Sequence, residues 1–161
     1  MGEQAIQNSK CKYLIFRTGW VFSEHGNNFF KTMLRLAKDK KELSVVSDQV
    51  GSPTYAQDIA NIVIKTLGQI EKKNCRYGLY HYSGDEPCSW YEFAKKIFYE
   101  AKNYGWSVPT ISSILTVDYP TPAHRPQYSV LDNNKIIKSF GVMPSDWKKG
   151  IIRALKELNS E

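Results

Sequence analysis

Apolar residues occur along the chain in two alternating patterns. The first pattern is a short continuous apolar run, and Tyr13-Leu14-Ile15-Phe16 is its clearest example. Such a run predicts a strand covered on both faces, the usual setting of a parallel sheet. Leu43 to Ser47 and Gly78 to Ser83 predict two further strands, and Ile111 to Val117 is weakly strand-like. The sequence therefore predicts strands that are separated along the chain.

In the second pattern, apolar residues recur at helical spacing between those predicted strands. One helix begins at Asn28, which we expect to act as its N-cap, and continues to Ala37. A second runs from Asp58 to Leu67, with the acidic residue near the positive end of the helix dipole. A third begins at Ser89, which forms a capping-box pattern with Glu92, and ends near Gly105.

Two shorter helical patterns follow a proline-rich loop from Tyr119 to Pro126, where regular structure is excluded because proline lacks a backbone donor. Asp132 is the predicted cap of the first, which ends at Gly141. The last helix spans Trp147 to Leu158. Strands alternating with helices indicate an α/β architecture, although the strands are too few for a complete doubly wound sheet.

A polar, turn-rich segment from Asp48 to Thr54 separates the second strand from the second long helix. Gly51 permits backbone angles closed to other residues, and Pro53 holds its own φ and extends Ser52. We interpret the segment as a loop that presents side chains. An ordinary strand-to-helix connection is the alternative, and the residues alone favour it.

Composition removes several classes of protein. The chain has 161 residues, of which 42% are hydrophobic, enough for one unit with a substantial core. No apolar run is long enough to span a bilayer, and the beginning is not a secretory signal. Three widely spaced cysteines fit neither a disulfide framework nor the spacing of a metal site, so we expect a cytoplasmic protein, and the sequence identifies no metal ligands.

The net charge of +6 is compatible with nucleic acid or with an anionic small molecule. The densest basic run, Lys38 to Lys41, lies at a predicted helix end, where it complements the helix dipole. The sequence has no nucleic-acid recognition motif, no Walker motif and no glycine-rich dinucleotide fingerprint. An anionic small molecule is therefore the favoured partner, and nucleic acid and membrane are not expected.

Five segments carry a family resemblance when they are taken together and in order. They are Arg17 to Phe22, Asn28 to Met33, Asp48 to Thr54, Ser89 to Ala94 and Arg125 to Asp132. In this set the chain resembles the C-terminal half of dTDP-4-dehydrorhamnose reductases, a family of extended short-chain dehydrogenases/reductases. The resemblance implies a few parallel Rossmann-sheet strands plus a small, mostly helical substrate-binding domain. Residues 1–161 would form one truncated unit, with the dinucleotide-binding half absent.

The resemblance also implies a division of labour. Gly2-Glu3 is similar to the residues that follow the catalytic Tyr-x-x-x-Lys pair in the family, and the pair is absent at a matching position. The full-length parent would use NADPH, or NADH, to convert dTDP-4-dehydro-6-deoxy-L-mannose to dTDP-L-rhamnose. We expect this chain alone to have no catalytic residue, no tightly bound cofactor and no reductase activity.

The residues that the resemblance assigns to ligands begin after the first strand. Trp20 would approach the sugar, with a plain core aromatic as the alternative. Thr18 and Gly19 would lie near the nicotinamide of the absent half. The family usually has Ser in place of Gly19 and Tyr in place of Phe22, so hydroxyl contacts are not expected from these two residues.

Three further residues are assigned to the nucleotide. Asn28 resembles a residue that contacts the diphosphate, and a helix start attracts anions, although a simple N-cap is equally expected. Arg125 is the best candidate for the diphosphate because a guanidinium forks onto phosphate oxygens and stays charged. Gln49 has two equal readings, a hydrogen bond to the nucleotide or a brace within its loop.

The resemblance leaves one non-enzymatic alternative, because the same fold is similar to the regulatory β subunit of methionine adenosyltransferase, a partner-binding protein. The sugar-side segments favour the reductase. Its ligand would be a dTDP-sugar, and an open sheet edge leaves room for a homodimer.

Overall fold

The computed structural model describes residues 1–71, 76–123 and 125–160. Helices and short strands alternate as the sequence predicts, and the α/β class is confirmed. In chain order the elements are α1 (Gly2–Asn8), β1 (Leu14–Arg17), β2 (Val21–Phe22), α2 (Phe29–Asp39), β3 (Glu42–Val46), β4 (Val50–Gly51), β5 (Thr54–Tyr55), α3 (Ala56–Glu71), β6 (Gly78–His81), β7 (Cys88–Ser89), α4 (Trp90–Asn103), β8 (Thr110–Ile114), a 3-10 turn (Thr116–Asp118), α5 (Asn134–Phe140) and α6 (Trp147–Leu158).

The described strands pair two by two. β1 with β6, β2 with β5 and β3 with β8 are parallel, and β4 with β7 is antiparallel. The predicted strand at Tyr13 to Phe16 is present as β1, but the prediction that both of its faces are covered is wrong. Leu14, Ile15 and Phe16 are only partly buried. The reason is that Leu14 and Phe16, on one face, pack against a hydrophobic cluster, whereas Ile15, on the opposite face, belongs to neither core cluster of the described residues.

Aromatic side chains form the larger core, between α2, α4 and α6. Phe93 is fully buried at its centre, and its ring contacts Phe22 edge-on at 5.2 Å and Trp147 at 5.6 Å. Gly150 lets α6 approach closely, because a Cβ at this position would lie 2.8 Å from Cβ of Tyr55. A smaller core of Ile62, Tyr80, Tyr82, Ile136, Phe140 and Val142 packs α3 and α5 against β6.

The helix ends follow the predicted caps with one correction. Asn28 caps α2 by accepting a 3.1 Å hydrogen bond from the Lys31 backbone N–H, and Ser89 forms the predicted capping box at α4. Asp132 is not the N-cap of α5, which begins one residue later than that cap would allow. Its carboxylate instead accepts from the Asn134 N–H at 2.8 Å, so it still satisfies a free donor of the first turn.

Helix α1 has no counterpart among the predictions. None of its residues is buried, and it is tied to β1 by the Arg17 guanidinium, which donates to both carboxylate oxygens of Glu3 at 2.9 and 2.6 Å. No helix in the described ranges is long and apolar enough to cross a membrane. Cys11 is exposed, Cys88 is buried, and both are free, as expected for a chain without a disulfide framework. The third cysteine, Cys75, lies outside the described residues.

Candidate functional site

A cavity of about 300 Å³ opens beyond the carboxyl end of β1. Four segments that are distant in sequence form its wall. The lining residues are Thr18, Gly19, Trp20, Gln49, Trp90, Arg125, Pro126, Ser129 and Leu131. Thr18, Gly19, Trp20, Gln49 and Arg125, all predicted to contact substrate or cofactor, are therefore brought together, whereas the sixth predicted residue, Asn28, is not among those that line the cavity.

The segment from Asp48 to Thr54 joins the other walls of the cavity. Its strand β4 pairs with β7, which directly precedes Trp90. On the other side, the Val50 N–H donates to the Gln127 carbonyl at 2.8 Å, and the Ser129 N–H donates to the Val50 carbonyl at 2.9 Å. The segment thus connects β3 to α3 and also joins two other wall segments of the cavity by backbone pairing.

Most polar side chains of this segment are buried, contrary to the prediction that it presents them. Ser52 and Thr54 are 4% and 0% exposed, and Asp48 accepts hydrogen bonds from the Thr116 N–H and Oγ1 at 2.9 and 2.7 Å. Gln49 is buried too, and its Nε2 donates to Thr116 Oγ1 at 3.0 Å while the residue lines the cavity. The bracing role expected for Gln49 is therefore present, and a ligand contact stays a prediction.

Thr54 fixes the backbone on which Trp20 stands. Its N–H donates to the Trp20 carbonyl at 3.1 Å, and its Oγ1 donates to the Gly19 carbonyl at 2.8 Å. Trp20 has a φ of +49°, in the left-handed region that a bulky residue rarely adopts. A strained conformation of this kind persists only where the surroundings hold it, and here Thr54 supplies the hold.

The Trp20 ring is enclosed on both faces. One face stacks on Trp90, with ring centroids 3.4 Å apart and planes inclined by 5°. A Cβ on Gly51 would lie 2.5 Å from Nε1 and 2.8 Å from Cδ2 of Trp20, and closest to Cε2. Because Cε2 is a ring-fusion carbon without a free in-plane position, this approach is onto the ring face. The three atoms nearest to that Cβ all belong to Trp20 and none to Trp90, so Gly51 occupies the opposite face.

This contact changes the explanation of Gly51. We noted from the sequence that Gly51 permits backbone angles closed to other residues, but Gly51 is not among the residues with positive φ and does not use that freedom. The residue is glycine because the Trp20 ring lies directly against its Cα.

Arg125 carries the only charge among the residues described as lining the cavity. Its side chain is exposed, and no ion pair within the described residues involves it. The neighbouring Pro126 limits the freedom of its backbone. An exposed guanidinium at the mouth of an otherwise neutral, aromatic cavity favours an anionic ligand with an apolar part.

Asn28 lies at the start of α2, outside this wall. Its side-chain oxygen caps the helix, and its Nδ2 donates to the carbonyls of Ser23 and His25 at 2.9 and 3.0 Å. The side chain is thus engaged as an N-cap, as one of the two expectations stated. Contact with a nucleotide stays a prediction.

Trp90 lines the cavity, but the sequence did not predict it as a site residue. Its spacing assigns it to the apolar stripe of α4, and Phe29 does pack on it at 4.5 Å between centroids. What places it in the cavity is the two-residue pairing of β4 with β7, a contact too short for a sequence signal. Ser129 and Leu131 reach the wall in the same way, through the backbone hydrogen bonds of Val50.

Cys88 lies beside this cavity, in the strand that precedes Trp90. Burial raises the pKa of the Cys88 thiol to about 12, so it stays protonated and unreactive at neutral pH. In the ranges that the structure describes, no group of three His, Cys, Asp or Glu side chains is arranged to hold a metal ion.

The fold is that of the extended short-chain dehydrogenases/reductases. The chain superposes on dTDP-4-dehydrorhamnose reductase from Bacillus anthracis in complex with NADP with a TM-score of 0.85 and 40% identity, over 97% of this chain and 52% of that one. Residues 1–160 match the family model described as RmlD substrate binding domain. The chain belongs to this family.

Full-length relatives agree with this assignment. The dTDP-4-dehydrorhamnose reductase of Aggregatibacter actinomycetemcomitans is 48% identical over 162 residues, which cover 97% of this chain and 55% of that protein. The Escherichia coli K12 enzyme is 41% identical over 98% of this chain and 53% of its own length. The chain thus spans about half the length of the curated relatives that it matches. Thermus thermophilus UDP-glucose 4-epimerase shares the fold alone, with a TM-score of 0.71 and 17% identity.

Proposed function

We propose that this chain is the nucleotide-sugar-binding part of an NADPH-dependent reductase that converts dTDP-4-dehydro-6-deoxy-L-mannose to dTDP-L-rhamnose. The observation that carries the proposal is the wall of the cavity, which one guanidinium and two stacked indoles share at the end of a parallel strand. Arg125 binds the diphosphate, Trp20 and Gln49 face the rest of the nucleotide sugar, and Asn28 contributes at the start of α2. The relatives from Aggregatibacter actinomycetemcomitans and Escherichia coli K12 are both dTDP-4-dehydrorhamnose reductases.

The cofactor in this proposal is NADPH, which supplies the hydride when it is bound. Thr18 and Gly19 fit its nicotinamide end because they follow β1 directly, and open α/β sheets bind dinucleotides at the carboxyl ends of their strands. Gly19 leaves space there, since a Cβ on it would meet nothing within 4 Å. The phosphates and the adenosine need a dinucleotide-binding part for which this sequence has no glycine-rich fingerprint.

The proton donor of the reaction is also sought outside this chain. The sequence does contain a Tyr-x-x-x-Lys spacing at Tyr91 and Lys95, but both residues lie on α4 and neither lines the cavity. Tyr91 packs against the larger core instead. We therefore propose that residues 1–161 bind the nucleotide sugar as one unit and do not reduce it on their own.

The diphosphate role is tested by substitution of Arg125. Arg125→Ala should raise the Kd for dTDP by about 10- to 100-fold, the usual effect of losing a hydrogen bond to a charged group, and Arg125→Lys should recover only part of it. Isothermal titration calorimetry measures both. Arg35→Ala is the matched control, an exposed arginine on α2 away from this cavity, and should leave Kd unchanged. Unaltered dTDP affinity in Arg125→Ala would remove the diphosphate role.

The reductase assignment is tested with the full-length gene product. It should oxidise NADPH in the presence of dTDP-4-dehydrorhamnose, whereas residues 1–161 alone should not. Suppose that the full-length product binds dTDP but oxidises no NADPH under conditions in which a known reductase is active. That result would contradict the reductase assignment and favour a non-catalytic, partner-binding protein.

The proposal includes a cytoplasmic location, since its charged substrates do not cross a bilayer unaided. A homodimer in solution is part of the same proposal and is measured by sedimentation equilibrium.

A further inference from the structure

A sugar that packs on an indole needs one of its two faces, and both faces of Trp20 are occupied. Trp90 covers one face at 3.4 Å between centroids, over nearly parallel planes. The backbone of Gly51 lies against the other face. In this arrangement only the edge of the Trp20 ring is open to the cavity that it lines.

The face against Gly51 is held shut by backbone structure. Gly51 pairs with Cys88 in the β4–β7 ladder, and its neighbour Val50 exchanges hydrogen bonds with Gln127 and Ser129 on the other side. Moving Gly51 away would break both sets of hydrogen bonds. Trp20 itself is fixed, because Thr54 binds its carbonyl and that of Gly19.

The face against Trp90 is closed by a side chain alone. The Trp90 backbone begins α4 and is fixed by the Ser89 capping box, but its ring is partly exposed and lines the cavity. Rotation of the side chain about χ1 would uncover Trp20 without breaking a hydrogen bond of the backbone. The Trp90 ring also meets Phe29, at 4.5 Å between centroids and a 41° tilt, a looser contact than its stack on Trp20.

We infer that Trp90 competes with the ligand for the open face of Trp20 and thereby sets the affinity for the sugar part of the nucleotide sugar. The Trp90 ring occupies the place where an apolar sugar face would stack, and it must leave before the sugar can enter. This inference rests on the proposed nucleotide-sugar ligand. It assigns Trp90 to specificity and gives it no step in the chemistry.

The competition predicts an unusual direction for a substitution in a binding site. Trp90→Ala should bind dTDP-L-rhamnose roughly two- to tenfold more tightly, because the ligand no longer displaces a stacked aromatic pair, and should leave the Kd for dTDP unchanged. Trp90→Phe retains a smaller ring and should fall between wild type and Trp90→Ala. Titration calorimetry with dTDP-L-rhamnose and with dTDP measures all three proteins.

A spectroscopic readout on the wild-type protein makes the test independent of how well Trp90→Ala folds. Two stacked indoles couple, so the near-ultraviolet circular dichroism of wild type should contain a component that Trp20→Phe and Trp90→Phe each remove. Saturating dTDP-L-rhamnose should remove the same component, and dTDP should leave it in place.

The outcomes separate this inference from the proposed function. Wild type that binds dTDP-L-rhamnose with its coupled indole signal intact, or a Trp90→Ala protein that binds the sugar nucleotide more weakly, overturns the competition and leaves the proposed function standing. Wild type that binds neither nucleotide overturns both.

Discussion

Trp20 and Gly51 form the contact on which the geometry of the cavity depends. Trp20 has a backbone conformation that costs a bulky residue about 1–2 kcal/mol, and Thr54 and Gly51 together hold it there. The contact explains why position 51 is a glycine. The local sequence pattern does not show this reason, because Trp20 and Gly51 are distant in sequence.

Gly51→Ala should therefore destabilise the fold by roughly 1–3 kcal/mol, because the new methyl group must displace the Trp20 ring or the β4 backbone. Urea denaturation measures the free energy of unfolding. Gly68→Ala is the matched control: Gly68 lies inside α3 with nothing within 4 Å of a Cβ, so alanine should stabilise by about 0.5–1 kcal/mol. Equal effects of the same sign would contradict the contact.

Cys88 reports on the same wall through its reactivity. In a Cys75→Ser background, a disulfide reagent at pH 8 should modify exposed Cys11 rapidly and buried Cys88 only after denaturant is added. Similar modification rates for both thiols would show that the β4–β7 wall is open.

The raised pKa of Cys88 also makes stability depend on pH. Because the folded state keeps the thiol proton, this thiol does not change the free energy of unfolding below its ordinary pKa of 9.0. The free energy of unfolding then falls as pH rises from there towards about 12.

At the scale of elements, a partly buried polar cluster ties the start of α3 to the segment that enters α6. Ser145 donates to the Asp58 carboxylate at 2.7 Å and accepts from the Tyr55 N–H at 3.1 Å. Arg153 adds a 3.0 Å ion pair to Asp58. Ser145 is 1% exposed, and its hydrogen bond to the Tyr55 N–H is buried, so this N–H depends on the hydroxyl for its partner.

Ser145→Ala should cost about 1–3 kcal/mol of unfolding free energy, because the Tyr55 N–H loses its partner in a buried place and Asp58 loses a donor. Thermal and urea unfolding measure the effect. Ser44→Ala, which removes an exposed hydroxyl from β3, should change stability by no more than about 0.5 kcal/mol. A Ser145→Ala protein as stable as Ser44→Ala would mean that water replaces the hydroxyl.

The long elements could be read from the sequence because each carries its own pattern. The apolar stripe and the capping box at Ser89 predict where α4 begins, and Gly141, at a φ of +59°, marks the end of α5. The two-residue strands β2, β4, β5 and β7 carry no such pattern, since pairing partners far away in sequence define them. The burial of β1 was overestimated for a related reason, because an apolar run shows what a strand tolerates and not what covers it.

At the scale of the whole molecule, the site is a meeting of four segments, and their order along the chain does not reveal it. Physical reasoning on single residues left Gln49, Asn28 and Trp20 each with a structural alternative, and only the resemblance placed them together. The structure supports a shared cavity for Trp20, Gln49 and Arg125, gives Asn28 its capping role, and adds Trp90, whose helical spacing had assigned it to the core.

We propose above all that this cavity binds a dTDP-sugar. The protein contains four tryptophans, and their indole N–H groups give separate signals in a ¹⁵N-labelled sample. Trp20 and Trp90 line the cavity, while the indoles of Trp106 and Trp147 donate to Asn159 and to the Glu86 carbonyl elsewhere. Titration with dTDP-L-rhamnose should shift the Trp20 and Trp90 signals to saturation and leave the other two in place. Saturable shifts confined to Trp106 and Trp147, or no shift of any indole, would contradict the account.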